Sequence, residues 1–180
     1  MIATLNMAPT PNAQPARQPL RPSLLVATVG GLGYAPLAPG TWGAGAGLLL
    51  FCLLAPLGAT AFWLALATTL LVGIPAASAA ERHFGHVDDG RIVIDEVAGQ
   101  LLGLAPLVWM NPPRSSDPLA LAVAFLLFRG LDIWKPGPVR WTEQRFQGGF
   151  GVIADDLVAG ALTAGPVWLV ALATAPGASP

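Results

Sequence analysis

The chain has 180 residues, 54% of them hydrophobic and only 11% charged, with a mean hydropathy of +0.62. Soluble domains carry about 25% charged residues, so this composition excludes an ordinary soluble globule and points to one integral membrane domain. The formal net charge of −1 argues against a nucleic-acid partner.

Residues 1–22 are rich in Pro, Ala, Asn and Gln and lack the apolar core of a signal peptide. They read as a disordered tail ahead of a single domain over 23–176. Residues 23–41, SLLVATVGGLGYAPLAPGT, predict a short helix that gives way after Val29 to a structured Gly- and Pro-rich loop. Apolar runs follow at 42–57 and 59–80, both near the ~20 residues that a membrane span needs. Gly43, Gly45 and Gly47 in the first run suit close helix packing. Cys52 in the same run is expected to be a buried small hydrophobe without a disulfide partner. Pro75 in the second run predicts a kink. A charged loop, ERHFGHVDDGR, covers 81–91, and its His83 and His86 read as solvated.

The next apolar segment runs from Ile92 to Met110. It carries Asp95 and Glu96 one turn inside its start, and Gly99 and Gly103 in GxxxG spacing. A short loop at 111–117, a fourth run at 118–134 and a fifth at 153–175 complete the chain, with Pro176 and Gly177 as a stop. The expected fold is all-α: a compact polytopic membrane bundle of about five hydrophobic helices.

Basic residues orient such a bundle. Arg17, Arg21, Arg82, Arg91, Arg129, Lys135, Arg140 and Arg145 fall on one side, and only Arg114 on the other. The first side is therefore predicted to be cytoplasmic. The connections 30–41, 81–96 and 129–156 then share that face, with every acid except Asp117.

Residues 129–160 alone hold four of the nine cations and four of the ten acids. Asp155-Asp156 and Asp95-Glu96 are acid pairs near the starts of apolar helices, in similar strings, GVIADDLVAG and RIVIDEVAG. Carboxylates there are costly unless compensated. Oxygen ligands without a Cys or His cluster favour Mg²⁺, Mn²⁺ or Ca²⁺ over Zn²⁺, and Asp132 could add a further carboxylate. The competing reading is charge complementing a helix dipole. Arg129, Lys135 and Arg140 suit an anionic phosphate, against anchoring to anionic headgroups, which fits Arg145 equally well. The segment GGLGYAPLAPGT offers backbone N–H groups and the Thr41 hydroxyl to an anion, but no Walker lysine follows. Neither a Gly-x-Ser-x-Gly elbow nor a phosphate-binding Cys loop is present. A metal, cations and a cytoplasmic membrane face together suggest phosphoryl chemistry on a lipid headgroup.

PLAPGTWG, IDEVAGQ, FRGLDIWKPGPVRW and GGFGVIADDLVAG occur in this order, and with them the chain resembles the phosphatidylglycerophosphatase A family from about residue 24 to 170. The resemblance implies a Mg²⁺-dependent enzyme of the bacterial inner membrane. It would remove the terminal phosphate of phosphatidylglycerophosphate, giving phosphatidylglycerol in phospholipid biosynthesis. The family motifs fall on Pro39, Gly40 and Thr41; on Asp95, Glu96 and Gly99; on Arg129, Asp132, Lys135 and Pro136; and on Asp155, Asp156, Ala159 and Gly160. The implied catalytic set is Asp95, Glu96, Asp132, Asp155 and Asp156, of which Asp95, Glu96, Asp155 and Asp156 would hold Mg²⁺. Gly40, Thr41, Arg129, Lys135 and Arg140 would bind the phosphate. Which carboxylate is base and which is ligand stays open.

Two other classes compete. A CDP-alcohol phosphotransferase also uses aspartates at this face, but Asp89-Gly90-Arg91 is not followed by an Asp-x-x-x-Asp pair. A non-enzymatic ion-binding or transport protein would place its acids near mid-bilayer.

Overall fold

The computed structural model describes residues 21–110 and 116–175. The predicted N-terminal tail with Arg17, most of the 111–117 loop with Arg114, and the Pro176-Gly177 stop lie outside the described residues. All regular elements among the described residues are helical.

Helix α1 (Pro22–Ala27) ends in a turn through Gly30 and Gly31, both at positive φ. Helix α2 (Pro39–Leu54) opens with Pro39, whose missing N–H costs nothing in a first turn. A 3-10 turn at Ala55–Leu57 and Gly58 reverse the chain into α3 (Ala59–Phe84). Helix α3 runs through Pro75 as one element and stops at Gly85 in the left-handed region. Helix α4 (Ile94–Leu104) is followed at Pro106 by the single turn α5 (Pro106–Trp109). Asp117 caps α6 (Pro118–Trp134), its side chain accepting from the Leu119 and Ala120 amides at 3.0 and 3.1 Å. Two short links then enclose α7 (Gly137–Arg145) before the long α8 (Gly148–Ala173).

The expected hydrophobic helices correspond to α2, α3, the broken pair α4–α5, α6 and α8. Three stretches are long and apolar enough to cross a membrane: Pro39–Leu57, Ala59–Phe84 and Gly148–Ala173. The 92–110 segment is not a continuous span. Eleven residues of α4 rise only about 16 Å, and nine of them are buried. Helix α4 is the axis of the bundle, packed against α8, α2, α3 and α6. The 129–156 connection, read from the sequence only as a polar link, contains α7. Proline is well tolerated in a first helical turn, and Val139 and Thr142 are buried on the bundle side.

Glycines let the backbones meet. The α2 face toward α4 uses Gly40, Gly43 and Gly47, whereas Gly45 has open space around it. On the α4–α8 seam, a Cβ on Gly99 would lie 2.6 Å from the Asp156 carbonyl oxygen, and one on Gly160 would overlap the Gly99 carbonyl. Cys52 is exposed on the outside of α2 rather than buried. The helix is apolar around most of its circumference, so a small hydrophobe can face outward where lipid would cover it.

Candidate metal and phosphate site

Three connections converge at one end of the bundle. The turn after α1 supports the loop before α4: the Val93 amide donates to the Ala27 carbonyl at 2.9 Å, and a Cβ on Gly33 would overlap the Arg91 carbonyl. The N–H groups of Gly30, Gly31, Gly33 and Tyr34 donate to carbonyls of α1 and of that turn. They brace the loop rather than point toward an anion. The Asp88 carboxylate of the same loop reaches Lys135 at 3.7 Å, at the end of α6.

The acid pairs meet here. Asp95 and Glu96 from α4 and Asp156 from α8 offer carboxylate oxygens that all lie within 4.8 Å of one another. Asp95 and Asp156 are 5% and 3% exposed. Asp132 adds a fourth carboxylate from α6. Arg129 donates to Asp132 and lies 3.7 Å from Glu96. Four carboxylates and one guanidinium thus share a largely buried place. Such an arrangement is costly unless a further positive charge joins it.

Asp155 faces elsewhere. Lys135 Nζ donates to Asp155 at 2.8 Å and to Glu143 of α7 at 2.7 Å. Partial burial pulls the Lys135 ammonium down, but the hydrogen bonds to Asp155 and Glu143 and the nearby acids outweigh it, so its pKa is raised above the ordinary lysine value. Lys135 therefore stays charged at any physiological pH. Its backbone sits in the left-handed region, at φ 48°, a strained choice for a residue with a Cβ. A small cleft, lined in part by Asp88, Glu143, Gly148 and Asp155, opens beside this network.

The phosphate candidates are divided. Gly40 is buried against the cluster: a Cβ there would overlap Glu96 Oε1 and lie 2.9 and 3.0 Å from the two terminal nitrogens of Arg129. Thr41 follows it in the first turn of α2. Arg129 belongs to the acid cluster and Lys135 to the neighbouring network. Arg140 is not brought to either; it is exposed on α7. Asp88, Glu143 and Gln100 were not singled out from sequence. Asp88 and Glu143 looked like ordinary loop charges, and only the helix spacing of Glu96 and Gln100 could have drawn attention to Gln100.

The residues fit a divalent cation on structural grounds. Glu96 Oε2 and Asp156 Oδ2 are buried and have no hydrogen-bond partner among the described residues. Hard oxygen donors of this kind suit Mg²⁺, Mn²⁺ or Ca²⁺.

A sequence profile of the family described as Phosphatidylglycerophosphatase A matches residues 25–171. A protein of that name from Escherichia coli is 32% identical over 146 residues, covering 81% of each chain. One from Haemophilus influenzae is 38% identical over 141 residues, 78% of this chain and 83% of its own length. A Bacteroides thetaiotaomicron protein, named provisionally as a phosphatidylinositol-3-phosphatase, is 38% identical over 148 residues, 78% of this chain and 89% of its own. No solved structure matches significantly.

Proposed function

Because the chain belongs to the phosphatidylglycerophosphatase A family, we propose that it is a Mg²⁺-dependent lipid phosphatase. It removes the terminal phosphate of phosphatidylglycerophosphate and yields phosphatidylglycerol and inorganic phosphate for phospholipid biosynthesis. The observation that carries this reading is the meeting of Asp95, Glu96 and Asp156 beside Arg129.

In this mechanism Asp95, Glu96 and Asp156 would hold Mg²⁺, which when bound would supply Lewis-acid polarisation of the phosphoryl group and a lowered pKa for water. Arg129 stabilises the negative charge that spreads over the phosphoryl oxygens, and Gly40 lets the α2 backbone approach that place without a side chain. The water oxygen bonds to phosphorus as the bond from phosphorus to the glycerol oxygen breaks. A carboxylate of the cluster takes the proton from the water, and the departing alkoxide takes up a proton. Lys135, held by Asp155 and Glu143, fixes the join between α6, α7 and α8 and adds positive charge at the mouth.

The site faces the cytoplasm of a bacterial inner membrane. Arg82, Arg91, Arg129, Lys135, Arg140 and Arg145 support this, since basic connections stay inside. Helix α7 presents Arg140, Trp141 and Arg145 outward, as suits a helix lying among anionic headgroups.

The test is phosphate release by the purified protein from phosphatidylglycerophosphate in mixed micelles. The reading expects activity with Mg²⁺ and its loss in EDTA, restored by excess Mg²⁺. Full activity in EDTA would sink the metal mechanism. A parallel assay on phosphatidylinositol 3-phosphate tests the headgroup named for the Bacteroides relative; the present reading expects much slower release there.

A further inference from the structure

Gln100 is fully buried on α4, and neither atom of its amide has a hydrogen-bond partner among the described residues. An apolar side chain of the same length would be the more stable choice at a purely structural position. The orphaned groups are not scattered. Six buried side-chain polar atoms lack a partner among the described residues, and five of them belong to Glu96, Gln100, Arg129 and Asp156. Three of these residues, Glu96, Arg129 and Asp156, belong to the acid cluster and its guanidinium.

Gln100 lies one helical turn beyond Glu96. A Cβ on Gly43 would lie 3.3 Å from the Glu96 Cβ, and one on Gly47 would lie 3.0 Å from the Gln100 Cβ. Both side chains therefore leave α4 on the face toward α2. Residues spaced in this way have Cβ atoms roughly 5–6 Å apart. One water, making two hydrogen bonds in series, spans such a pair. A water placed there would accept from Gln100 Nε2 and donate to Glu96 Oε2, one of the two cluster oxygens without a protein partner among the described residues.

We propose that Gln100 is a positioning residue for Glu96, its buried amide holding an enclosed water that fixes the direction of the Glu96 carboxylate within the acid cluster. The proposal rests on the reading of that cluster as a Mg²⁺ site. Groups one step behind a metal ligand typically tune affinity or activity about 10–100-fold.

The test is thermal unfolding of the full-length protein in detergent across a Mg²⁺ titration, wild type against Gln100→Met. Methionine keeps the length and removes the hydrogen bonding. In EDTA the variant should unfold at the wild-type temperature or above. The Mg²⁺ concentration giving half of the thermal shift should rise about 10–100-fold. The Mg²⁺ requirement for phosphate release should move by the same factor, with the KM for lipid at saturating Mg²⁺ unchanged. A variant with the wild-type Mg²⁺ response overturns the proposal, whether its stability rises or falls. Gln100→Asn withdraws the amide by one methylene and carries the same expectation if the methionine variant does not fold. A wild-type protein whose stability ignores Mg²⁺ overturns the metal reading itself, before any variant is made.

Discussion

Asp155 and Asp156 are neighbours in the chain and face different partners. Successive helix residues point about 100° apart, so Asp156 enters the acid cluster while Asp155 binds Lys135. This separates two carboxylates that the sequence could only treat as a pair. Asp156→Asn should lose the Mg²⁺-dependent thermal shift and at least about 100-fold in kcat. In EDTA its stability should hold or rise, because one uncompensated buried charge is gone. Asp155→Asn should keep the Mg²⁺ shift, and equal loss of that shift in both variants would contradict the assignment. Gly40 offers a second test at this scale. Its missing side chain leaves room for Glu96 and Arg129, so Gly40→Ala should displace both. Misplacement of about 1 Å at a reacting centre can cost 10²-fold. A kcat decrease of that order without loss of secondary structure is expected, and wild-type kinetics would remove Gly40 from the site.

Helices α4 and α8 form the element on which the site depends. Gly99 lies four residues after Asp95, and Gly160 four residues after Asp156, one turn below each acid. At these glycines the two backbones touch, and their contact sets the distance between the acids. The resemblance of RIVIDEVAG to GVIADDLVAG thus has a physical counterpart, since the first supplies Asp95, Glu96 and the contact glycine Gly99, and the second Asp156 and the contact glycine Gly160. Gly160→Ala should push the helices apart. Overpacking of this kind costs about 1–3 kcal/mol, so a melting temperature several degrees lower is expected. Activity should fall further than the folded fraction measured by circular dichroism. Much of this was legible in the sequence: the apolar runs marked the main helices, and the acid pairs marked the residues that meet. Helix α7 was hidden, because it is short, polar and opened by prolines that resemble loop signals. The shortness of α4 was hidden too, since an uninterrupted apolar run cannot show whether protein or lipid covers it. Reading Asp155 against Asp156 needed the helix phase, which only packing against Lys135 and α4 establishes.

At the scale of the whole molecule, the two ends differ in charge but share one feature. Trp42, Trp134 and Trp141 lie on elements at the site end, and Trp63, Trp109 and Trp168 at the opposite end. Trp109 packs on Trp63 at a centroid distance of 6.0 Å and shares a pocket with Trp168. Tryptophan favours the two membrane–water interfaces, so these sets would mark where the bilayer begins and ends. The described basic residues of the connections lie at the site end, which predicts its orientation as well as its depth. The exposed Cys52 is the chain's single cysteine, and Cys52→Ala provides a background for labelling. On it, Arg145→Cys reports from α7 and Leu57→Cys from the turn between α2 and α3; both native residues are exposed. A membrane-impermeant maleimide added to intact spheroplasts should label Leu57→Cys and spare Arg145→Cys, and inverted vesicles should reverse the result. Labelling of Arg145→Cys from outside would place the acid cluster away from a cytoplasmic supply of substrate. The catalytic geometry would survive that outcome, but the assignment to phospholipid biosynthesis would not.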